Sequence, residues 1–236
     1  MDLQGKRVLV VGGSSGIGFG VAEAAQARGA HVTIASRSLA KVEGALSRLG
    51  DGAVGEVLDT GDEPGIEAFF SRHAPFDHVV VSASQTKVAA VRELPLADAC
   101  QSMNSKFWGA YRIARAVRIA PGGSLTLVSG FLAIRPRKGA AIQGAINGAV
   151  EALTKGLALE FAPVRVNCVS PGLVATEMFA GLAGDSRQAM FENAAARLPA
   201  GLVGLPEHIA VQVLAFMANP YMTGSVVYLD GGGAIA

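Results

Sequence analysis

The sequence predicts an α/β protein, a doubly wound parallel sheet of seven strands with helices on both faces. Short apolar runs rich in β-branched residues alternate with longer alanine-rich stretches of helical spacing. The first run passes straight into glycines and then into a helix, as expected where a buried parallel strand stops at a tight turn. No repeat, linker or low-complexity segment breaks the alternation, so residues 1–236 read as a single domain. Successive β-α units place the strands in parallel and distribute their crossover helices over both faces.

The first unit is Arg7 to Gly18, RVLVVGGSSGIG. Val8 to Val11 form the strand, and Gly12, Gly16 and Gly18 lead into a helix expected over Phe19–Arg28 that closes near Gly29. Such a junction is an anion site. Backbone N–H groups of the Ser14, Ser15, Gly16 and Ile17 stretch point outward, the helix dipole favours negative charge, and missing side chains let a pyrophosphate approach. The spacing is G-x-x-x-G-x-G, not the commoner G-x-G-x-x-G, and a glycine turn alone also fits an ordinary tight turn. His31–Ala35 then read as a second strand, completing a Rossmann-type βαβ unit. A unit that prefers NAD carries an acid at the end of this strand for the ribose 2′-hydroxyl. Ser36 and Arg37 stand there instead. An acid would repel a 2′-phosphate, whereas a hydroxyl and a guanidinium hydrogen-bond it, which points to NADP(H). The alternative is an arginine merely exposed at a strand end.

Further along, Ala53–Leu58 is expected as the third strand, followed by a helix over Glu63–His73 with Asp62 as N-cap and Pro64 in its first turn. Asp77–Ser82 is the fourth strand. A long helix is expected from about Ala97 to Ile119, stopped by Pro121-Gly122-Gly123, with Arg112, Arg115 and Arg118 as a solvated or subunit-facing stripe. Ser124–Ser129 is the fifth strand, and Gly139–Phe161 a second long helix whose alanines and glycines allow close packing. Val164–Val169 and Ser225–Leu229 complete the seven strands.

Composition excludes several function classes. Half of the residues are hydrophobic and only 17% are charged, which suits one α/β domain with an ample core. A net charge of +1 gives no electrostatic case for nucleic acid or an anionic membrane surface. Cys100 and Cys168 follow no metal or redox spacing and are expected as buried reduced thiols, and the four histidines are scattered, so no metal site is expected. With no bilayer-spanning apolar run and no signal-peptide pattern, the expectation is a cytoplasmic protein.

Further motifs follow the glycine turn in order: Leu58-Asp59-Thr60, the run Asn167 to Thr176 (NCVSPGLVAT), Pro206-Glu207-His208-Ile209-Ala210, and Thr223-Gly224 to Leu229-Asp230-Gly231-Gly232. Together these resemble the short-chain dehydrogenase/reductase family over essentially the whole chain, although the family's usual threonine before the turn is Val11. The resemblance implies an NADP cofactor and a small-molecule substrate. It assigns Asp59 to the adenine amino group with Thr60 beside it, and adds Ser82, Ala83 and Ser84 at the fourth strand end. Pro171 and Gly172 would cradle the nicotinamide, with Val174 meeting its carboxamide through the backbone and Thr176 through its hydroxyl. The long helices around Asn104 and Gln143 resemble the family's subunit-pairing helices, which implies a homodimer or homotetramer.

The catalytic positions depart from that pattern. Family members use a tyrosine acid/base, a lysine four residues later, a serine at the preceding strand end and an asparagine. Here the tyrosine position holds Gln143, the lysine position Asn147, and the serine position Gly130, with Ser129 beside it as a displaced substitute; only Asn104, in MNSKFWG, matches. A carboxamide cannot release a proton to an alkoxide. An uncharged Asn147 cannot lower any pKa. Tyr111 with Arg115 lies too far from Asn104 to replace the missing pair, Lys155 lies too far beyond Asn147, and Lys106 matches a non-catalytic position. Arg135, Arg137 and Lys138 form either a solvated basic loop or a site for an acidic substrate. The segment Phe179 to Pro206, with Met178, Phe179, Leu182, Met190 and Phe191, is expected to wall the substrate, as an amphipathic helix over an apolar pocket or as a structural cover. Two classes remain open. One is an oxidoreductase whose substrate needs no protein-derived acid, such as an imine or an activated alkene; the other is a catalytically inactive NADP(H)-binding pseudoenzyme acting through a ligand or partner.

Overall fold

The computed structural model describes residues 2–181 and 183–236; Leu182, one of the residues expected over the substrate, lies outside the described residues. All seven strands form and all pair in parallel, in the order β3-β2-β1-β4-β5-β6-β7. They are β1 (Arg7–Val11), β2 (His31–Ser36), β3 (Ala53–Val57), β4 (Phe76–Val81), β5 (Ile119–Val128), β6 (Arg165–Pro171) and β7 (Val226–Leu229). Strand order reverses between β1 and β4, so the crevice beyond their carboxyl ends is where a ligand is expected in such a sheet.

Each sheet face is sealed by its own layer. One is packed by α1 (Gly16–Gln26), α2 (Leu39–Leu49) and α8 (Pro206–Ala218), through Phe19, Val21, Val42, Val213 and Phe216. The other is packed by α3 (Glu63–Arg72), α5 (Gly109–Ala116) and α6 (Ala141–Glu160), through Ile66, Phe69, Ile113, Val150 and Leu157. Helix α2 was not placed in the sequence; Ser38 caps it by accepting from the Lys41 backbone N–H at 3.4 Å. α1 starts three residues earlier than expected, at Gly16, which brings its N-terminus right up to the glycine turn.

The long central helix is shorter and less regular than its sequence pattern suggested. It runs as α4 (Leu96–Met103), a π turn over Asn104–Trp108, and α5, ending at Ala116. Val117 turns extended at ψ 138°, and Ile119 pairs with Phe76 on β4. Pro121-Gly122-Gly123 therefore sits inside β5 rather than stopping a helix, beside a register shift between Phe76 and His78. Val117 and Ile119 pack on the core, so their apolar spacing continued the helical pattern after the backbone had left it. In the arginine stripe Arg115 and Arg118 are exposed and Arg112 is half-buried. Arg112 donates to the Thr60 carbonyl and Asn104, Arg115 pairs with Glu63 at 3.0 Å, and Arg118, beyond the helix, donates to the His73 carbonyl. Cys168 is buried as expected, but Cys100 is exposed on α4, and both are free thiols. No helix among the described residues is long and apolar enough to cross a membrane.

Candidate cofactor and active site

The carboxyl ends of β1, β2 and β4 are knitted by backbone hydrogen bonds. Gly12 N–H donates to the Ala35 carbonyl at 2.7 Å, and the N–H groups of Ser82 and Ala83 both donate to Val11. Gly12 has φ +87°, and a Cβ there would stand 2.5 Å from the Ala83 nitrogen. A Cβ on Gly18 would stand 2.2 Å from the Gly12 carbonyl oxygen, so α1 packs against the turn only because this residue is glycine. Ser14, Ser15, Gly16 and Ile17 carry the chain across into the helix.

That helix N-terminus already takes an anion. Ser15 makes no side-chain cap; instead the Gly16 N–H donates to a carboxylate oxygen of Glu177 at 2.8 Å. Glu177 also lies 3.7 Å from Arg48. A tethered carboxylate at this point fits the residues to an anionic group, because orphan N–H groups and the helix dipole both favour negative charge. Glu177 directly follows Thr176, whose methyl lies 3.3 Å from where a Gly16 Cβ would stand. The Asn167–Thr176 run thus comes back against the glycine turn. It is held by the Gly172 N–H on the Leu229 carbonyl, by a bridge between Val174 and Gly204, and by a Gly172 that has Asp230 where a Cβ would go. Pro171 closes β6 just before it.

At the other end of the cleft, Arg37, Asp59, Thr60 and Gln85 line a cavity of about 180 Å³. Ser36 ends β2, and the exposed Arg37 guanidinium donates to the Gln85 side-chain oxygen at 2.9 Å. Asp59 accepts from the Gly61 N–H, and Thr60 is buried under α5. Gln85 had no local signal in the sequence; Ser84, just before it, is exposed at the rim.

Lys106 draws two of the expected catalytic positions together, Ser129 and Asn147, and most of the polar groups at these positions are committed to other residues. Asn104 opens the π turn, and its side-chain oxygen accepts from Arg112 at 2.7 Å. Such turns recur at functional sites. Ser129, at the end of β5, donates its hydroxyl to Glu151 at 2.8 Å, so it is not a free substitute for a serine at position 130. Ser170 and Tyr228 also donate to Glu151, each at 2.9 Å. Burial together with Glu151 pushes the Tyr228 phenol up to about 12. Asn147 is 2% exposed, and its oxygen accepts from the Lys106 ammonium at 2.7 Å; the same ammonium donates to the Ser129 carbonyl at 2.7 Å. Burial pushes Lys106 down to about 8. Gln143, one turn earlier on α6, is half-buried and has no side-chain hydrogen bond among the described residues. Tyr111 stands edge-on to Trp108 while Arg115 is paired with Glu63, so that pair is spent elsewhere.

On the basic loop Arg135 is exposed and donates to the Ala236 backbone oxygen. Helix α7 (Gly184–Ala195) has no buried residue, and its Phe191 meets Phe179, two residues after Glu177, with ring centroids 5.6 Å apart. A larger apolar cavity of about 380 Å³ lies to one side, between α4, α6 and the Ala89–Leu94 stretch. Among the described residues no group of three or more potential metal ligands gathers.

A family model described as enoyl-(acyl carrier protein) reductase matches residues 11–233. The short-chain dehydrogenase/reductase ucsE of an Acremonium species is 34% identical, covering 99% of this chain and 97% of the relative. This chain belongs to the short-chain dehydrogenase/reductase family. A short-chain dehydrogenase/reductase of Malbranchea aurantiaca, malC, is 30% identical over 98% of this chain and 95% of its own length. The solved structure of MalC, a reductase/Diels-Alderase, superposes with a TM-score of 0.90 at 28% identity, covering 99% of this chain and 98% of that one. A small-chain dehydrogenase solved in complex with NADPH superposes with a TM-score of 0.85 at 35% identity, covering 99% of this chain and all of that one.

In this short-chain dehydrogenase/reductase the Glu177 carboxylate occupies the helix N-terminus at which the glycine turn leads one to expect a dinucleotide pyrophosphate. Glu177→Gln is therefore expected to tighten NADPH binding by about two- to fivefold at low salt, the size of a single charge at a helix end. Fluorescence titration reads it, and an unchanged affinity would mean that the carboxylate leaves at no cost.

Proposed function

We propose that this short-chain dehydrogenase/reductase is an NADPH-dependent reductase of substrates that already carry their proton, an iminium ion being the type. The observation that carries this reading is the pair of amides, Gln143 and Asn147, on the face of α6 where the family's acid/base and its lysine stand. When bound, NADPH supplies a hydride. The glycine turn and the α1 N-terminus would hold its pyrophosphate, Ser36 and Arg37 its 2′-phosphate, Asp59 and Thr60 its adenine end, with Ser82, Ala83 and Ser84 beside them. Pro171, Gly172, Val174 and Thr176 would hold the nicotinamide end. The NADPH complex of the 35% identical structure supports this assignment.

At the reacting end Gln143 can donate or accept a hydrogen bond and so orient a substrate, but it cannot protonate one. A cationic carbon–nitrogen double bond needs no proton after hydride arrives, so this site loses nothing by lacking a phenol. Phe179 and Phe191 would contribute apolar cover that limits water. The likeness to MalC, a reductase/Diels-Alderase, supports a redox reading over a purely structural one. Exposed Leu96, Trp108 and Leu159, on α4, the π turn and α6, support the expectation of a homodimer or homotetramer.

The test is NADPH consumption with a panel of preformed cyclic iminium ions alongside matched ketones. Turnover of iminium ions with ketones at background is expected. Binding of NADPH with no turnover of either class would favour the inactive pseudoenzyme.

A further inference from the structure

Lys106 enters the site from the π turn, 41 residues before Asn147 in the chain. Its ammonium is buried between the Asn147 side-chain oxygen and the Ser129 carbonyl. An ammonium carries only donors, so it fixes which end of the amide faces it. The Asn147 nitrogen is thereby turned away from Lys106 and toward Gly130, where a Cβ would stand 2.7 Å from it. Gly130 has φ 169°, an extended conformation open to any residue. What position 130 lacks is room for a side chain, and the Asn147 amide is what fills that room. Residues from three elements therefore fit one another: a cation that sets an amide, the amide, and a glycine that admits it.

We infer that Lys106 is a positioning residue that stands in for the cation missing at position 147, holding the Asn147 NH₂ group toward the cofactor cleft so that it donates to the nicotinamide ribose. This rests on the reading of the chain as an NADPH-binding enzyme. The titratable groups around Lys106 come from three strands and helices. Glu151 on α6 and the Cys168 thiol on β6 oppose the downward push of burial, and Tyr228 on β7 bonds to Glu151 beyond them. Burial pushes the Cys168 thiol up, and Tyr228 is up at about 12, which leaves the range near 8 to Lys106.

The experiment is fluorescence titration of NADPH against wild type, Lys106→Met, Asn147→Ala and the double variant, at several pH values on either side of 8, with thermal unfolding in parallel. Each single substitution is expected to weaken NADPH by about tenfold, and the double by no more than Asn147→Ala alone, because Lys106 acts through that amide. Only the ammonium sets the amide, so NADPH binding favours the protonated lysine; wild-type affinity is expected to fall as pH rises past about 8, and Lys106→Met to lack this fall. Stability has the opposite sign. The folded lysine binds fewer protons than the unfolded one between about 8 and its ordinary 10.5, so wild-type stability rises relative to Lys106→Met across that window. Additive losses, or affinity profiles that run parallel in wild type and Lys106→Met, would overturn the inference and leave only a buried structural charge. If Lys106→Met does not fold, Lys106→Arg keeps the cation and is expected to bind NADPH within about threefold of wild type with the fall moved to higher pH; a fall left near 8 would equally overturn it. Failure of wild type itself to bind NADPH would instead overturn the cofactor reading on which this one rests.

Discussion

Gln143→Tyr, Asn147→Lys and Gly130→Ser, installed together in the otherwise unchanged chain, are expected to leave ketone reduction at background. Each supplies a group that the family's reaction needs: a phenol as acid, a cation to lower its pKa, and a hydroxyl to hold the substrate oxygen. A phenol alone stays near pKa 10 and does little at neutral pH. The obstacle is Lys106. A lysine at position 147 would place a second ammonium beside the one that Asn147 now accepts from at 2.7 Å, in a pocket where residue 147 is 2% exposed. Two buried like charges at that spacing cannot both stay ionised. Adding Lys106→Met removes the conflict and leaves one cation to balance Glu151. The four-residue variant is therefore expected to reduce ketones and quinones about 10²–10⁴-fold faster than wild type, the usual value of general acid catalysis. Steady-state NADPH consumption by the three- and four-residue variants measures it, and the effects are expected to be strongly non-additive. Equal rates for the two variants would refute the conflict with Lys106, and equal rates for wild type and the four-residue variant would refute the reading of Gln143 as a lost acid.

NADPH is expected to bind about ten- to hundredfold more tightly than NADH. The margin follows from a charge-assisted contact of roughly 1.5–3 kcal/mol between Arg37 and the 2′-phosphate. Among the described residues the guanidinium is engaged only by the neutral side-chain oxygen of Gln85, which a 2′-phosphate would displace. Arg37→Met should lower affinity for NADPH while leaving NADH nearly unchanged, and raising salt should narrow the preference because the arginine is exposed. Paired titrations of both cofactors on wild type and Arg37→Met check it. Equal affinities on wild type would remove Arg37 and Ser36 from the recognition of the 2′-phosphate.

Features that depend on neighbours along the chain could be read from the residues alone. The apolar run Val8–Val11 with its glycines, the βαβ unit ending at Ser36 and Arg37, and the seven strands are local patterns, and the parallel sheet follows because each such unit closes on the last. Asp62 capping α3 is equally local, and it forms as expected. The α5 end at Ala116 was not legible, because Val117 and Ile119 keep helical spacing while their burial comes from the sheet. The polar contacts of the site, by contrast, were set by long-range packing. Gly16 meets Glu177 across 161 residues, Ser129 meets Glu151 across 22, and Lys106 meets Asn147 across 41. A lysine two residues after Asn104 looks in sequence like any helix-surface lysine; the π turn and the close approach of α6 bury its ammonium. An ammonium moved out of water takes the nearest oxygens that can offset its lost hydration, and which oxygens those are is set by how the helices pack.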